Sequence, residues 1–425
     1  MTKPDDEKSS SAIRVLLVNV GFVPQVGGSY RLLYEAARHL PPGSIDVLTS
    51  HSPGDKSFES AGVRIVRSWA LTLRDPEAMS AYTRRIVGRH GASPFFRLMN
   101  LAVRRWIGVP AAFLRALIQT VAVQYDFVIA GQALPSGWIG VGLKRLRKLA
   151  FGTFVYGEEV AFSNPGRRMT QLLSSTLREA VWVIACSAAT RSKTIEWGCD
   201  AAKVHTLLPG VDTELFQPLE RVADQNRETR VVLSVGRLIP QKGFDRVIRA
   251  LPSLRKVVPA VKYLVRGDGP ELHNLLRLAE EIGVSDCFEI LPEVPYEELR
   301  YLYSQADVLV LPNIVAPGTG EQEGFGLVLL EAGSCGCPVI AGASGGVSDA
   351  VSNGQTGLLV DPLDPDSLSK AIIAILTNPE LRAELGIRAR KRAIEEFSWR
   401  HYSEQLWDLI LGEVGRVREV DRLAS

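Results

Sequence analysis

Two basic residues follow an apolar run in the second half of the chain at a spacing suited to phosphate binding. Arg237 comes directly after the run RVVLSV (230–235), Lys242 follows five residues later, and Gly236 and Gly243 flank them. Ligands of parallel-sheet proteins bind at the carboxyl ends of strands, and Arg and Lys form charge-assisted hydrogen bonds with phosphate oxygens. The pattern predicts a diphosphate site; its alternative is a pair of solvated loop charges.

A glutamate stands alone in a long apolar segment further along the chain. Glu331 is the only charged residue among the 25 residues of 324–348. Because an unpaired buried carboxylate costs several kcal/mol, Glu331 needs a partner, and ligand hydroxyl groups are good candidates. The alternative is a structural Glu331 that caps a neighbouring element.

A glycine-containing segment, Glu323-Gly324-Phe325-Gly326, lies just before this glutamate. Its two glycines would let backbone N–H groups at the start of the next helix approach a phosphate. We therefore expect Glu323 at the tip of a loop and Glu331 within the helix that follows.

Both halves of the chain begin with the same pattern of elements. The apolar run Ile13–Val20 is typical of a buried parallel strand and leads into Gly27 and Gly28, after which Ser29 is placed to cap a helix. The same order returns at 230–235. Each half is therefore expected to start as a Rossmann-type unit.

Further strand patterns alternate with helical patterns through both halves. They lie at 45–49, 63–66, 127–130, 151–156, 181–186, 261–266, 287–291, 308–311, 339–341 and 357–360. Repeated β-then-α order predicts an α/β fold with two Rossmann-like parallel-sheet domains. The expected organisation is a disordered leader (1–12), an N-terminal domain (13–213), a linker (214–229), a C-terminal domain (230–397) and a C-terminal helix (398–425) that crosses back to the first domain.

Composition and charge limit the class of protein. The 425 residues are 46% hydrophobic and 23% charged, which excludes a largely disordered or fibrous chain. Residues 1–220 carry 26 basic and 18 acidic side chains, whereas residues 221–425 carry 23 and 29, so the halves are expected to face different partners. Five cysteines without a C-x-x-C pair favour a reducing compartment and argue against a disulfide framework or a zinc site.

The sequence shows neither a signal-peptide pattern nor a continuous apolar membrane span. The polar start of the chain has no apolar signal-peptide stretch, and the apolar segment 101–123 is interrupted by three arginines and a proline. We expect a cytoplasmic protein, either soluble or peripheral on the inner face of the membrane.

The second half resembles the donor domain of family 4 glycosyltransferases. The resemblance lies in VGRLIPQKGFD (235–245), RGDGPE (266–271), ADVLVLPN (306–313), EGFGLVLLEAGSCGCPVIA (323–341) and GQTGLLVDP (354–362), while LLPGVDTELFQP (207–218) is similar to the family's domain junction. Glu323 and Glu331 match the E-x7-E element of retaining enzymes with the GT-B fold, in which two Rossmann-like domains face a cleft. The motifs are reminiscent of phosphatidylinositol mannosyltransferases, which favours GDP-mannose as donor.

The resemblance implies roles for individual residues. Arg237 and Lys242 would hold the diphosphate of a GDP- or UDP-linked sugar, Glu331 would bind the ribose hydroxyls, and Glu323 would bind the transferred hexose. The implied catalytic set is Glu323, Arg237 and Lys242, and the implied nucleotide-sugar site is Gly27, Gly28, Gly236, Arg237, Lys242, Gly324, Phe325, Gly326 and Glu331.

The chain departs from the family pattern at one position. Many relatives have a histidine where this sequence has Tyr156-Gly157-Glu158-Glu159, and none of its six histidines lies there. Glu158 or Glu159 is a candidate replacement on the acceptor side; the alternative is a pair of surface carboxylates on a turn.

The chemistry can be argued without a cofactor or a metal ion. Cleavage of a sugar–diphosphate bond builds negative charge on the leaving oxygen, which Arg237, Lys242 and helix-start N–H groups would stabilise. Asp364-Pro365-Asp366 fits a D-x-D metal motif but lies where an Asp commonly caps a helix. We therefore predict a metal-independent hexosyltransferase.

A basic segment in the first half points to the acceptor. Residues 78–125 contain no acidic residue and no lysine but seven arginines: Arg84, Arg85, Arg89, Arg97, Arg104, Arg105 and Arg115. With interleaved aromatic residues, the segment suits an anionic membrane surface or an anionic or lipid-linked acceptor. The alternative is a solvated pair of helices. Nucleic acid is not expected, since no binding motif accompanies the charge.

Other classes of function remain open from the sequence. The predicted acceptor is a hydroxyl of a lipid, glycan or small molecule, but a nucleotide-sugar epimerase would share the fold. A dinucleotide-dependent oxidoreductase would need G-x-G-x-x-G after its first strand, whereas Gly267-Asp268-Gly269 has only two of the glycines and follows a later strand. A noncatalytic nucleotide-sugar sensor is the third alternative.

Overall fold

The fold consists of two parallel β-sheets with helices between their strands. A computed structural model describes residues 13–23, 27–51, 62–68, 71, 109–159, 167–219, 229–316 and 320–424. Its strands are β1 (Val15–Val18), β2 (Ile45–Thr49), β3 (Arg64–Arg67), β4 (Phe127–Ala130), β5 (Phe151–Val155), β6 (Val183–Ala185), β7 (Val204–Thr206), β8 (Arg230–Val235), β9 (Val261–Arg266), β10 (Phe288–Leu291), β11 (Val308–Leu311), β12 (Val339–Gly342) and β13 (Gly357–Val360).

The helices occupy the connections between these strands. They are α1 (Gly28–Arg38), α2 (Val109–Ala122), α3 (Ser136–Arg147), α4 (Arg167–Glu179), α5 (Ala188–Glu196), α6 (Phe244–Val257), α7 (Leu272–Ile282), α8 (Leu299–Gln305), α9 (Leu327–Ser334), α10 (Val347–Ala350), α11 (Pro365–Thr377), α12 (Pro379–Glu396) and α13 (Trp399–Ala424). Short 3-10 turns lie at Ala201–Lys203, Pro240–Lys242 and Tyr296–Glu298.

Strand order in the two sheets explains where ligands can bind. The first sheet has seven strands in the order β3-β2-β1-β4-β5-β6-β7, and the second has six in the order β10-β9-β8-β11-β12-β13. In the second sheet the chain moves outward from β8 to β10 and then returns to the other side of β8 as β11. Ligands of open parallel sheets bind at such a switch point, outside the carboxyl ends of the strands.

The central strands of both sheets are buried because their sequences are almost continuously apolar. Every residue of β1 is buried, and Val15–Val18 pairs in parallel register with Ile45–Leu48 on one side and Phe127–Ala130 on the other. A strand covered on both faces has no polar side to present to water. This is the predicted parallel-sheet architecture, and it is confirmed.

The chain divides into two compact units. Unit 1 comprises Met1–Phe154, Leu173–Val183 and Ser403–Ser425, and unit 2 comprises Val155–Leu172 and Ile184–Tyr402. Within unit 1, the Ser403 hydroxyl donates to the carbonyl oxygen of Ala36 at 3.1 Å and Arg418 pairs with Asp126 at 2.9 Å. The C-terminal helix α13 therefore returns to the first domain, as expected.

Two local predictions differ from the structure. The helix expected to be capped by Ser29 has its N-cap two residues earlier, at Gly27 and without a side-chain cap, so Ser29 lies inside α1. The three-residue strand β7 (Val204–Thr206) was not predicted, because a pattern so short carries little signal. The expected leader (1–12), most of the linker (220–228) and the arginines of 78–108 lie outside the described residues.

Candidate functional site

The loop after β8 is held tightly between the loops after β9 and β11. The N–H of Gly236 donates to the carbonyl of Arg266 at 3.0 Å, and the N–H of Ile314 donates to the carbonyl of Gln241 at 2.9 Å. Gly243 has φ +67°, and a Cβ there would overlap the carbonyl oxygen of Pro312. The backbone can pack this closely only with glycine at that position.

The predicted diphosphate-binding residues lie on this loop and differ in their environment. Lys242 forms an ion pair with Glu323, and the two side chains are 18% and 14% exposed. Arg237 is exposed and has no ion pair within the part of the chain that the structure describes. The switch point of the second sheet thus brings together Lys242 from the β8 loop and Glu323 from the β11 loop, beside an exposed guanidinium.

The segment around Glu323 is fixed by its backbone. The carbonyl of Glu323 accepts a hydrogen bond from the N–H of Gly346 at 2.9 Å, and Gly326 has φ +92° at the N-cap of α9. The Phe325 side chain is buried against the ring of Phe397. Phe325 can therefore reach a ligand only through its backbone, whereas Glu323 lies in the loop as predicted.

Glu331 lies inside α9, as predicted, but its carboxylate already has protein partners. The phenol of Tyr296 donates to Oε1 at 2.7 Å and that of Tyr303 donates to Oε2 at 2.7 Å. Burial first, and the neighbouring Glu331 carboxylate second, raise the pKa of Tyr303 well above its usual range, so its hydroxyl remains a donor. A carboxylate accepts up to about four hydrogen bonds, so a ligand hydroxyl would have to share Glu331 with these protein donors.

The two glutamates of the Tyr156–Glu159 segment have opposite environments. Glu158 is exposed, whereas Glu159 is 3% exposed and its Oε2 accepts the N–H groups of Tyr156 at 3.1 Å and Gly157 at 3.0 Å. Burial, reinforced by the charge of Glu158, raises the pKa of Glu159 to about 7. Of the two candidate replacements for the family histidine, only Glu158 presents its side chain to solvent.

The Tyr156–Glu159 segment and the Glu323 loop are neighbours within unit 2. A Cβ added at Gly324 would overlap the carbonyl oxygen of Tyr156, and the thiol of Cys186 lies 3.5 Å from the Gly324 carbonyl oxygen. Burial raises the pKa of Cys186 to about 12, and both Glu159 and Glu323 add to that shift. One site in unit 2 therefore contains the diphosphate-binding candidates, Glu323 and the Glu158–Glu159 pair.

Gly27 and Gly28, the predicted donor-facing glycines of the first domain, lie at the start of α1 in unit 1. Gly27 has an extended backbone, and its nearest side-chain neighbour is the ring of Tyr30. Their role in donor binding stays a prediction.

Several residues of the site had no sequence signal that marked them. Tyr296 and Tyr303 hold Glu331, and Gln241 donates to Glu321 at 3.1 Å beside the Lys242–Glu323 pair. A tyrosine in a helix or turn is ordinarily a packing residue, so only the position of its hydroxyl group in three dimensions reveals the contact.

The D-x-D candidate is a helix cap. Asp364 accepts the N–H of Asp366 at 2.9 Å at the start of α11. The described residues contain no group of three or more His, Cys, Asp or Glu side chains placed to hold a metal ion. Across the same residues, no helix is both long and apolar enough to cross a membrane.

Comparison with known proteins identifies the family. Residues 26–215 match the family model "Glycosyltransferase Family 4", and residues 217–392 match "Glycosyl transferases group 1". The GDP-mannose-dependent alpha-(1-6)-phosphatidylinositol monomannoside mannosyltransferase of Mycolicibacterium smegmatis is 30% identical over 415 residues, which cover 94% of this chain and 98% of that protein. The chain belongs to the family 4 glycosyltransferases. It is a glycosyltransferase whose co-substrate is a nucleotide sugar.

Two further likenesses concern a second relative and the fold. The D-inositol 3-phosphate glycosyltransferase of Kribbella flavida is 38% identical over 219 residues, which cover 48% of this chain and 49% of that protein. The structure of sucrose-phosphate synthase from Thermosynechococcus elongatus superimposes with a TM-score of 0.74 at 22% identity, covering 97% of this chain and all of that one. The predicted GT-B fold of this glycosyltransferase is confirmed.

Proposed function

We propose that this glycosyltransferase is a retaining, metal-independent mannosyltransferase that uses GDP-mannose and transfers mannose to an inositol phosphate headgroup at a membrane surface. The single observation that carries the proposal is the Lys242–Glu323 pair at the switch point, beside exposed Arg237. In this proposal Lys242 is the phosphate-binding cation and Glu323, its ion-pair partner, is the sugar-binding carboxylate. The full-length likeness to a GDP-mannose-dependent enzyme supports the choice of donor.

The two cations act on the leaving group. As the bond between the anomeric carbon and the diphosphate oxygen breaks, its electron pair and negative charge pass to that oxygen. Arg237 is exposed and can meet the diphosphate directly, whereas Lys242 is already oriented by Glu323. A preoriented cation does not have to reorganise when this charge develops, which is the main source of electrostatic catalysis.

Glu323 acts on the transferred sugar, whose anomeric carbon becomes positively charged. We infer attack by the acceptor hydroxyl from the face that the diphosphate leaves. The new glycosidic bond forms on that face, the configuration is retained, and the acceptor proton passes to the departing diphosphate oxygen. Among the described residues, the exposed Glu158 is the side chain we assign to the acceptor.

An inositol phosphate acceptor is supported by two relatives with different names. One acts on a phosphatidylinositol monomannoside, and the other is named for D-inositol 3-phosphate. The chemistry that their names share is an inositol ring bearing a phosphate group.

The part of the basic segment that the structure describes supports contact with a membrane surface. Along α2, Leu114, Ile118 and Val121 are 55%, 52% and 67% exposed, and their spacing puts them on one helix face, which we call the α2 stripe. Arg147 reaches the carbonyl of Thr120 on the same helix at 3.4 Å. An apolar stripe beside basic residues matches an anionic bilayer, in which apolar side chains enter the interface and cations remain at the headgroups.

The test is a product analysis with a panel of nucleotide sugars. The protein is incubated with GDP-mannose, GDP-glucose, UDP-glucose or UDP-N-acetylglucosamine and with vesicles that contain phosphatidylinositol or its monomannoside. We expect one hexose to be added to an inositol lipid from GDP-mannose alone, with retained anomeric configuration by NMR. Transfer from a UDP-sugar only, or an inverted product, would contradict the proposal. The Glu323→Gln variant supplies the background.

A further inference from the structure

The buried Glu159 carboxylate lies next to the site, and its known partners belong to its own turn. Its Oε2 is occupied by two backbone N–H groups of its own turn, those of Tyr156 and Gly157. With 3% exposure it offers almost no surface to a substrate. Its function must therefore be exerted through the backbone that it holds.

The turn that Glu159 holds forms a wall of the Glu323 loop. A Cβ at Gly324 would overlap the carbonyl oxygen of Tyr156, and the Cβ position of Gly157 lies 3.6 Å from Gly324 Cα and 3.7 Å from the carbonyl oxygen of Gln322. Gly157 has φ +95°, a conformation that its neighbours must maintain. A change in the backbone conformation of the turn would therefore alter its packing against the loop that carries Glu323.

The opposite side of the loop is fixed by other residues. The Gly346 N–H donates to the Glu323 carbonyl at 2.9 Å, and Ala188 N–H donates to Asp349 at 2.7 Å, which ties the start of α5 to the α10 segment. Lys242 then pairs with the Glu323 side chain. The loop is clamped between this side and the turn that Glu159 holds.

We propose that Glu159 is a positioning residue, whose carboxyl oxygen fixes the Tyr156–Gly157 turn against the loop that carries Glu323. Its role needs an acceptor oxygen at this point rather than a negative charge or a proton to transfer. The titratable groups around it are Glu158, Tyr156 and Cys186. The inference rests on the proposed role of Glu323 in transfer.

This assignment makes Gln and Ala substitutions behave differently. The amide oxygen of Glu159→Gln can accept the same two N–H groups, whereas Glu159→Ala removes the acceptor and frees the turn. We expect Glu159→Ala to lower kcat at least tenfold while the Kd of the nucleotide diphosphate changes less than threefold. Glu159→Gln should keep kcat within threefold of the wild type.

The closing experiment adds a readout that needs no substrate. Hydrogen exchange followed by mass spectrometry should show faster exchange of the peptide that covers 320–326 in Glu159→Ala, and wild-type exchange in Glu159→Gln. The control is Glu196→Ala, which removes an exposed carboxylate at the end of α5. Gly324→Ala, which forces the loop away from the turn, should reproduce the faster exchange if Glu159→Ala does not fold.

Two results would overturn the inference. If Glu159→Gln is as inactive as Glu159→Ala, the group acts through its charge or its proton. If the exchange of 320–326 is unchanged in both Glu159→Ala and Gly324→Ala, the turn does not position the loop. Because exchange is measured without donor or acceptor, failure of the proposed mannosyl transfer would leave this readout intact.

Discussion

Lys242 and Glu323 are 81 residues apart in the sequence, yet their side chains form an ion pair at the carboxyl edge of the second sheet. The pair ties the cation expected to bind the diphosphate to the carboxylate expected to bind the sugar. Breaking a largely buried pair leaves the remaining charge without its partner. Because a different charge remains after each substitution, we expect substitution of Lys242 and substitution of Glu323 to have different effects on binding and catalysis.

Removal of the cations should weaken the binding of nucleotide diphosphate. We expect Lys242→Ala and Arg237→Ala each to raise the Kd of GDP about tenfold or more, since a hydrogen bond to a charged group contributes about 1.5–3 kcal/mol. Both should also depress turnover severely, because the contacted charge grows in the transition state. Calorimetric titration is the measurement, and Lys262→Ala, which removes an exposed lysine of β9, is the control. If both variants bind GDP with wild-type affinity, the assignment of Lys242 and Arg237 to the diphosphate is wrong.

Replacement of Glu323 should separate catalysis from binding. Glu323→Gln removes the carboxylate that competes with phosphate for Lys242, so GDP affinity should stay the same or rise slightly. Turnover should fall by on the order of 10² or more, the pattern of an interaction realised mainly in the transition state. Steady-state kinetics beside titration measure both quantities. Wild-type turnover in Glu323→Gln would show that the catalytic half of the assignment is wrong.

The tyrosines that hold Glu331 should influence nucleoside binding without touching the diphosphate. We expect Tyr303→Phe to raise the Kd of GDP roughly tenfold, because it removes a buried donor to a carboxylate and lets Glu331 reorient. Glu331→Gln should weaken GDP and GDP-sugar alike. The matched control is Tyr263→Phe, which removes an equally buried hydroxyl that donates to Ser234 at 3.0 Å. If Tyr303→Phe and Tyr263→Phe change the Kd of GDP equally, the contact between Tyr303 and Glu331 has no specific role in nucleoside binding.

Most of the fold, and several residues of the candidate site, could be predicted from the sequence for identifiable reasons. Strands such as β1 (Val15–Val18) and β11 (Val308–Leu311) were predicted because a strand buried on both faces must be apolar throughout. The partners of Glu331 could not be predicted, because Tyr303 and Tyr296 are 28 and 35 residues away and reach it only when α8 and the 3-10 turn before it pack beside α9. The ion pair between Lys242 and Glu323 was not predicted either, because the sequence patterns indicated a ligand contact for each residue and no contact between the two.

The free energy of unfolding should depend on pH through the titration of Glu159. Its folded-state pKa of about 7 lies above the ordinary value of 4.5, so the folded state binds the proton more tightly than the unfolded state does. The contribution to stability is complete below about pH 4.5 and is lost as the pH rises through about 7. Relative to Glu159→Gln, the wild-type free energy of unfolding should fall by at most about 3 kcal/mol over that window. Urea titrations at pH 5 and pH 8 measure it, and a constant difference between the two proteins would exclude a raised pKa.

The α2 stripe should contribute to membrane association. Replacing Leu114 and Ile118 together by Gln removes two half-exposed apolar side chains, each of which would gain about 1 kcal/mol by burying its exposed half in a bilayer interface. The double variant should therefore bind vesicles containing phosphatidylinositol at least tenfold more weakly in co-sedimentation. The matched control is Ile387→Gln with Ile394→Gln, two exposed isoleucines on α12 in unit 2. If both double variants sediment with the vesicles like the wild type, the stripe is not a membrane contact. The wild-type protein should also bind these vesicles more tightly than neutral phosphatidylcholine vesicles, and added salt should weaken that binding. If neither difference is observed, attraction of basic residues to anionic headgroups is excluded.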